Sequence, residues 1–227
     1  MAAQPIITLQ SVTKTYRLGD ETVNALDAVS LNVSAGEFIA ITGPSGSGKS
    51  TLANIIGGLD VPSEGTVFID GEDISKVNDR RLSLYRNKHI GFVFQSFNLQ
   101  ASYTALENVM LPLVLGKMGN KQRTERAKAC LKAVGLEDRM KHRPSQLSGG
   151  QRQRVAIARA ISNEPSIIIA DEPTGNLDSN RGEEIMKLLK DLNKQGITLI
   201  IITHDQTIAK QAERIITIHD GKLEEHR

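Results

Sequence analysis

The sequence predicts an α/β domain built on a largely parallel sheet, and three observations carry that prediction. Short β-rich runs alternate with helical patterns along most of the chain. Ile90–Gln95 is almost unbroken in apolar residues, the pattern of a strand covered on both faces. The 227 residues, 39% of them hydrophobic, suffice for one large domain, alone or with a subdomain. A chain of this size buries roughly 70% or more of its unfolded surface, so a real core is expected.

Before Gly43 the chain reads as strands, Ile6–Gln10, Val29–Val33 and Glu37–Thr42, separated by turn residues. Ser50–Leu59 reads as a helix with Leu52, Ile55, Ile56 and Leu59 on one face, weakened at its end by Gly57-Gly58. Gly65–Asp70 is a strand closed by a turn at Asp70-Gly71. From Ser96 to about Gln146 the character turns helical and polar, punctuated by Pro112 and Pro144. Within it Gln122–Val134 has helical spacing and Gly135 is a stop signal. This stretch is expected to be a helical insert on the α/β core, not a separate domain. Helix Gln151–Ser162, strand Ser166–Ala170 and helix Arg181–Lys194 follow. Ile185, Leu188, Leu189 and Leu192 give the last helix its buried face, and Gly196 ends it. Thr198–Thr203 and Arg214–His219 read as strands, the second turning back at Asp220-Gly221. No internal repeat is visible.

Composition excludes several classes. Lys+Arg total 28 against 26 Asp+Glu, a net charge of +2, so no global field recruits nucleic acid or anionic lipid. The single cysteine, Cys130, cannot form an internal disulfide, fits a reducing compartment, and reads as a buried apolar residue beside Ala127, Leu131 and Val134. The stretch MAAQPIITLQSVTKTY lacks the basic and apolar regions of a secretory leader. Ile167–Ala170 and Ile197–Ile202, the longest apolar stretches, fall far short of the ~20 residues that cross a bilayer. A soluble chain is expected. With the end Lys222–Arg227 short and charged, no regulatory domain is expected to follow the core.

The strongest chemical signal is Gly43-Pro44-Ser45-Gly46-Ser47-Gly48-Lys49-Ser50-Thr51. It matches G-x-x-x-x-G-K-[ST] and lies between an apolar strand and an amphipathic helix, the context of a P-loop. Glycines let the backbone wrap phosphate oxygens, with the helix N-terminus behind them. Lys49 is placed on the β- and γ-phosphates, the Ser50 hydroxyl on Mg²⁺ and Thr51 on the α-phosphate. A Mg²⁺–nucleotide site also needs an acid at the end of another strand. The apolar run before Asp171 and Glu172 supplies it, with Asp171 on the metal through water and Glu172 as general base for the attacking water. These residues fit any P-loop NTPase, a small kinase included.

Leu147-Ser148-Gly149-Gly150-Gln151 narrows the choice. It opens a helix with small residues, so it is another anion-binding N-terminus. Placed between the P-loop and Asp171, it resembles the signature motif of ABC ATPases, and the resemblance runs over essentially the whole chain. The family fold implied is a P-loop NTPase core with a mostly parallel sheet, an N-terminal antiparallel β subdomain and a helical insert at about 96–146, all within one nucleotide-binding domain, 1–227. The resemblance implies that Ser148, Gly149, Gly150 and Gln151 complete the ATP site of an opposing subunit, and that Asp178, in a segment resembling the D-loop, crosses to it. It implies further that Tyr16 stacks on adenine, that Gln95 contacts Mg²⁺ and the water, and that His204 is the switch histidine beside the γ-phosphate. No expected motif is missing, so a hydrolytically competent ATPase is implied, working as a homodimer whose closure ATP drives.

In this family such a chain is usually an energy-coupling subunit, peripheral on the cytoplasmic face of the membrane beneath a separate permease. Ile56–Asp60, Pro62–Gly65, Phe94–Leu99 and Ala170–Asp178 resemble the MacB and LolD branch, whose permeases have few membrane helices. Phe97, Leu99, Tyr103, Leu106 and Val109 are expected to help line the groove that receives a coupling helix. The alternatives are a cell-division-type ABC ATPase controlling an extracytoplasmic hydrolase, or a non-transport ABC ATPase. The second is disfavoured by the absence of any heptad tract or basic linker, and no nucleic-acid partner is expected.

Overall fold

A computed structural model describes residues 5–19 and 21–226. Residues 1–4, on which the leader reading partly rests, and Arg227 of the charged end lie outside the described residues. Four strands form an antiparallel sheet: β1 (Pro5–Leu18), β2 (Glu21–Ser34), β4 (Glu64–Ile69) and β5 (Glu72–Asp73), in the order β2-β1-β4-β5. The second sheet holds β3 (Phe38–Thr42), β6 (Ile90–Phe94), β7 (Ile167–Asp171), β8 (Thr198–Ile202), β9 (Arg214–His219) and β10 (Lys222–His226), in the order β10-β9-β3-β8-β7-β6. Only the β9–β10 hairpin at its edge is antiparallel. The expected α/β class and parallel sheet are therefore observed.

Alternation along the parallel strands divides the core in two. Ile39, Ile41, Ile167, Ile169, Ile200 and Ile202 face the antiparallel sheet and α1 (Lys49–Ile56). Ile168, Ala170, Leu199 and Ile201 face the opposite way, onto α5 (Gly149–Ala160) and α6 (Ser179–Asn193). The period of two that sends neighbouring side chains to opposite faces thus feeds both layers. Between β6 and β7 the chain forms α3 (Ala105–Leu115), α4 (Asn120–Ala133) and two short 3₁₀ turns, with no strand before β7. Val109 and Leu113 of α3 meet Leu131 of α4 and Val155 and Ile157 of α5 in the second core. Cys130 is buried there as expected, and burial pushes its thiol pKa up.

Several sequence expectations need correction. β1 and β2 run well beyond Ile6–Gln10 and Val29–Val33: their polar ends pair as a long hairpin, Tyr16 opposite Val23, with register shifts that apolar alternation does not reveal. Helix α2 (Asp79–His89) was not expected, because only Leu82 and Tyr85 of its charged sequence are buried. It is started by Asn78, whose side chain accepts from the Arg81 N–H. Pro112 does not break the insert. It lies inside α3, where buried Val109 and Leu113 hold the helix and Asn87 Nδ2 donates to the Pro112 carbonyl at 2.9 Å. Leu59 is not on the buried face of α1, which stops at Gly57 and leaves Leu59 46% exposed.

Candidate functional site

Four parallel strands end together. Ile41 of β3 is level with Ile202 of β8, Ile202 with Asp171 of β7, and Asp171 with Phe94 of β6. The chain leaves these ends as the 43–48 loop, Thr203-His204, Glu172 and Gln95. The fold thus brings to one sheet edge residues that the sequence spreads from 43 to 204. The carboxyl ends of parallel strands are where such folds bind ligands.

The 43–48 loop is wedged between the sheets. Gly43 and Gly48 have φ of 144° and 108°, and a Cβ would strike the Ile218 carbonyl at Gly43 and the Ala25 carbonyl at Gly48. The Gly221 N–H donates to the Ser47 carbonyl at 3.0 Å, tying the loop to the β9–β10 turn. Lys49 curls back, its Nζ donating to the carbonyls of Gly43 (2.9 Å) and Pro44 (2.7 Å). Behind it α1 begins with no side-chain cap and no acid in its first turn. The cleft so formed, about 360 Å³, is lined by Gly46–Thr51, Val23–Ala25 of β2 and the Asp220-Gly221 turn. The buried Ser47 Oγ has no hydrogen-bond partner. Uncapped helix N–H groups, an ammonium and an unspent hydroxyl suit a polyphosphate.

Two carboxylates stand beside it. Burial and the Glu172 charge push the Asp171 carboxyl above its ordinary value, against the pull of Lys49. Glu172 itself sits at φ 46°, a strained conformation held from several sides. Its Oε1 accepts the His204 N–H at 3.0 Å and lies 2.6 Å from His204 Nδ1, while Oε2 accepts from the Thr203 hydroxyl at 3.2 Å. Hydrogen bonding to Glu172, with its charge, raises the His204 pKa. The Gln95 carbonyl accepts from Asn176 Nδ2 at 2.8 Å, and its side chain lies against Gly175.

Other predicted site residues lie apart. Ser148 caps α5, accepting from the Gln151 N–H while Gln151 Oε1 accepts from the Ser148 N–H. Gly149 packs on Leu177 and Gly150 on Arg181. Asp178 caps α6, accepting from the Arg181 N–H at 3.0 Å. None of Ser148–Gln151 or Asp178 lines the P-loop cleft of the same chain. Tyr16, level with cleft-lining Val23, gives its hydroxyl to Asp60 at 2.8 Å.

Sequence reasoning missed the residues that lock the segment after Gln95. Phe97 and Asn98 both adopt left-handed backbone, φ 61° and 49°. Arg159 of α5 donates to both carbonyls, at 2.9 Å and 2.5 Å, and the Arg152 guanidinium lies 5.0 Å from the Phe97 ring centre. The left-handed tolerance of Asn98 is the one local signal; the Arg159 contacts bridge 61 and 62 residues and have none.

Comparison with known proteins resolves which P-loop family this edge belongs to. A family model described as ABC transporter matches residues 26–175, from β2 through the P-loop to the loop after Glu172. The chain belongs to the ABC transporter family. It is 54% identical over 224 residues to an uncharacterised ABC transporter ATP-binding protein, MJ0796, of Methanocaldococcus jannaschii, covering 96% of this chain and 95% of that one. It is 51% identical over 223 residues to the macrolide export ATP-binding/permease protein MacB of Brucella melitensis. That match takes in 98% of this chain but 34% of MacB, so the chain spans about a third of this relative. A solved dimeric structure, described as a post-hydrolysis state of the MJ0796 cassette bound to ADP and Pi, superposes with a TM-score of 0.88 at 52% identity, covering 97% of this chain and 99% of that one. The chain is thus an ABC cassette, an ATP-hydrolysing transporter subunit, in the MacB-type branch that its motifs resemble. The cell-division and non-transport alternatives are not favoured.

Proposed function

We propose that the cassette works as a homodimer with two composite ATP sites and powers a separate MacB-like permease with few transmembrane helices, for export or for mechanical work across the membrane. The observation that carries the catalytic half is the convergence of the P-loop, Asp171-Glu172, Gln95 and His204 on one edge of the parallel sheet. Gly43–Gly48 and Thr51 cradle the phosphates, Lys49 neutralises them and Tyr16 stacks on the base. Water attacks the γ-phosphorus in line, the bond to the β,γ-bridging oxygen breaks, and Glu172 takes the water's proton. Thr203 and His204, which already grip both Glu172 oxygens, orient that carboxylate. One hydroxyl, one amide and one carboxylate, from Ser50, Gln95 and Asp171, form a sparse oxygen donor set of the kind Mg²⁺ shares with phosphate and water. Bound there, Mg²⁺ supplies charge neutralisation at the phosphate oxygens. Ser148–Gln151 and Asp178, apart from the cleft in their own chain, serve the partner's site.

The membrane half rests on an apolar groove of about 480 Å³ lined by Leu59, Leu84, Phe92, Phe94, Pro112 and Leu115, with Asn98 and Arg159 at its wall. Leu115 is 72% exposed, Leu84 61% and Leu59 46%, and the three line this one groove, a clustering of exposed apolar side chains that marks an interaction site. This groove, not the surface expected from sequence, is the better seat for a permease helix. Of the five residues expected, Val109 is fully buried core, Leu99 and Leu106 pack on that core, and none of the five lines the groove. Among the described residues no helix is long and apolar enough to cross a membrane; attachment to the cytoplasmic face through the permease fits the same reading. Domain organisation follows: one unit over 1–227, with about 96–146 as the helical subdomain that carries one groove wall.

Glu172→Gln tests the reading. It should bind ATP, lower turnover by on the order of 10²-fold or more, and accumulate as a dimer by light scattering. From membranes solubilised with ATP it should bring down a permease with few spans. Full turnover in this variant would remove Glu172 from the base role. Recovery of a many-span permease would discard the branch-level partner.

A further inference from the structure

We propose that Asp60 is a positioning residue for the base end of the nucleotide site, clamping Tyr16 at a fixed reach from the P-loop. The inference rests on the reading of Tyr16 as the adenine platform.

The geometry comes from three elements. Tyr16 belongs to β1 and pairs with Val23, and paired residues of antiparallel strands project from the same face, so its ring stands beside the cleft that Val23 lines. Its hydroxyl donates to Asp60 Oδ2 at 2.8 Å and lies near the side chain of Thr51, which lines the cleft. Asp60 Oδ1 is separately held by Lys14 Nζ at 2.6 Å and by the Val61 N–H at 2.8 Å. Lys14 is buried, donates also to the Val61 carbonyl at 2.8 Å, and keeps its ammonium 5.1 Å from the centre of the Tyr16 ring. One face of the ring is therefore backed by a cation. Burial pushes the Asp60 carboxyl up, but the bonds from Lys14, Tyr16 and Val61 outweigh it and hold it below its usual value.

Asp60 is fixed in turn to the far end of the phosphate helix. The N–H groups of Leu59 and Asp60 both donate to the Asn54 carbonyl, at 2.7 and 3.2 Å. Helix α1 thus presents Lys49, Ser50 and Thr51 at its N-terminus and Asp60 just beyond its C-terminus. Tyr16 sits on the antiparallel sheet and the P-loop on the parallel one. The Asp60 clamp makes their separation depend on a single rigid helix. A phenylalanine would stack but could not be tethered, which gives the hydroxyl its purpose.

The test compares Tyr16→Ala, Tyr16→Phe, Asp60→Ala and the Tyr16→Phe/Asp60→Ala double variant, titrating each by calorimetry with ATP and with CTP, whose smaller base stacks less. Tyr16→Ala should weaken ATP binding about tenfold and erase the preference for ATP over CTP. Tyr16→Phe and Asp60→Ala should each weaken ATP binding about threefold, the size of one net hydrogen bond, and narrow the same preference. The double variant should be no worse than either single one, because both remove one interaction. If Tyr16→Ala loses affinity while Tyr16→Phe binds both nucleotides as the parent does, the clamp is overturned and the platform stands. If Tyr16→Ala also binds as the parent does, the platform reading fails and the clamp with it. Asp60→Ala strands buried Lys14; should that variant not fold, Tyr16→Phe, which keeps the Lys14–Asp60 pair, decides alone.

Discussion

The P-loop cleft and the apolar groove are built on opposite plans. The cleft, about 360 Å³, is lined by the P-loop backbone, the Lys49 ammonium and short polar side chains, with the Asp171 and Glu172 carboxylates beside it, and each of these motifs is contiguous in sequence. The groove, about 480 Å³, is larger and almost free of charge except Arg86 and Arg159. It gathers side chains from the end of α1, from α2, β6, α3 and α5, one or a few from each. Phosphate chemistry demands particular residues at particular backbone positions, so it leaves motifs. A docking surface demands only shape and apolar area, which many residues can supply, so it leaves almost none. Where the two regions meet, at Phe94–Asn98, the chain is both the end of a catalytic strand and a wall of the groove.

That contrast predicts that damage on one side spares the other. The largest effect belongs to Lys49→Ala, which removes the ammonium now shared by the Gly43 and Pro44 carbonyls. Turnover should fall on the order of 10²–10³-fold, measured by phosphate release, while the groove and the thermal stability change little. A large loss of stability would mean that Lys49 is structural, and the cleft would lose its separate status.

A smaller effect is expected at the groove floor. A Cβ on Gly57 would strike the ring of Phe92, which lines the groove. Gly57→Ala should therefore cost about 1–3 kcal/mol of stability and reduce capture of the permease, read from denaturant melts and co-purification. Unchanged stability would show that Phe92 swings away freely.

The smallest effect concerns pH. Glu172 raises the His204 pKa in the folded chain, so the pair's contribution to stability is complete below the ordinary histidine value near 6.5 and is lost as pH rises through the raised value. The imidazole is largely exposed, which keeps the contribution small. Melting temperature should decline slightly more steeply above pH 6.5 in the parent than in His204→Gln; parallel curves would show that the contact stores nothing.

The same contrast explains what could be read in advance. Gly43–Thr51 stands between a buried strand and a helix, and the apolar runs before Asp171 and Thr203 place their acid and imidazole at strand ends, so these three functional loops are legible from local pattern. The glycines at 71 and 221 marked their turns, both with positive φ. Helix α2 was not legible, because its burial amounts to Leu82 and Tyr85 within a charged stretch. Nor was the true extent of β1 and β2, whose polar ends are held by pairing with each other. In the segment after Gln95 the apolar residues divide in a way their spacing does not reveal: Val109 is committed to the core, while Tyr103 stays 41% exposed. Arg159, which fixes Phe97 and Asn98, could be found only once the fold brought α5 to them.

The most direct measurement puts the Leu84→Glu/Leu115→Glu double variant beside its parent and reads two quantities from each. One is ATP turnover of the isolated chain; the other is recovery of the permease from ATP-treated membranes in a Glu172→Gln background. Both leucines are exposed groove residues, so charge there should leave folding and turnover near the parental level and abolish recovery of the permease. Turnover that collapses together with recovery would contradict the separation of cleft and groove, and recovery that persists would move the docking surface elsewhere.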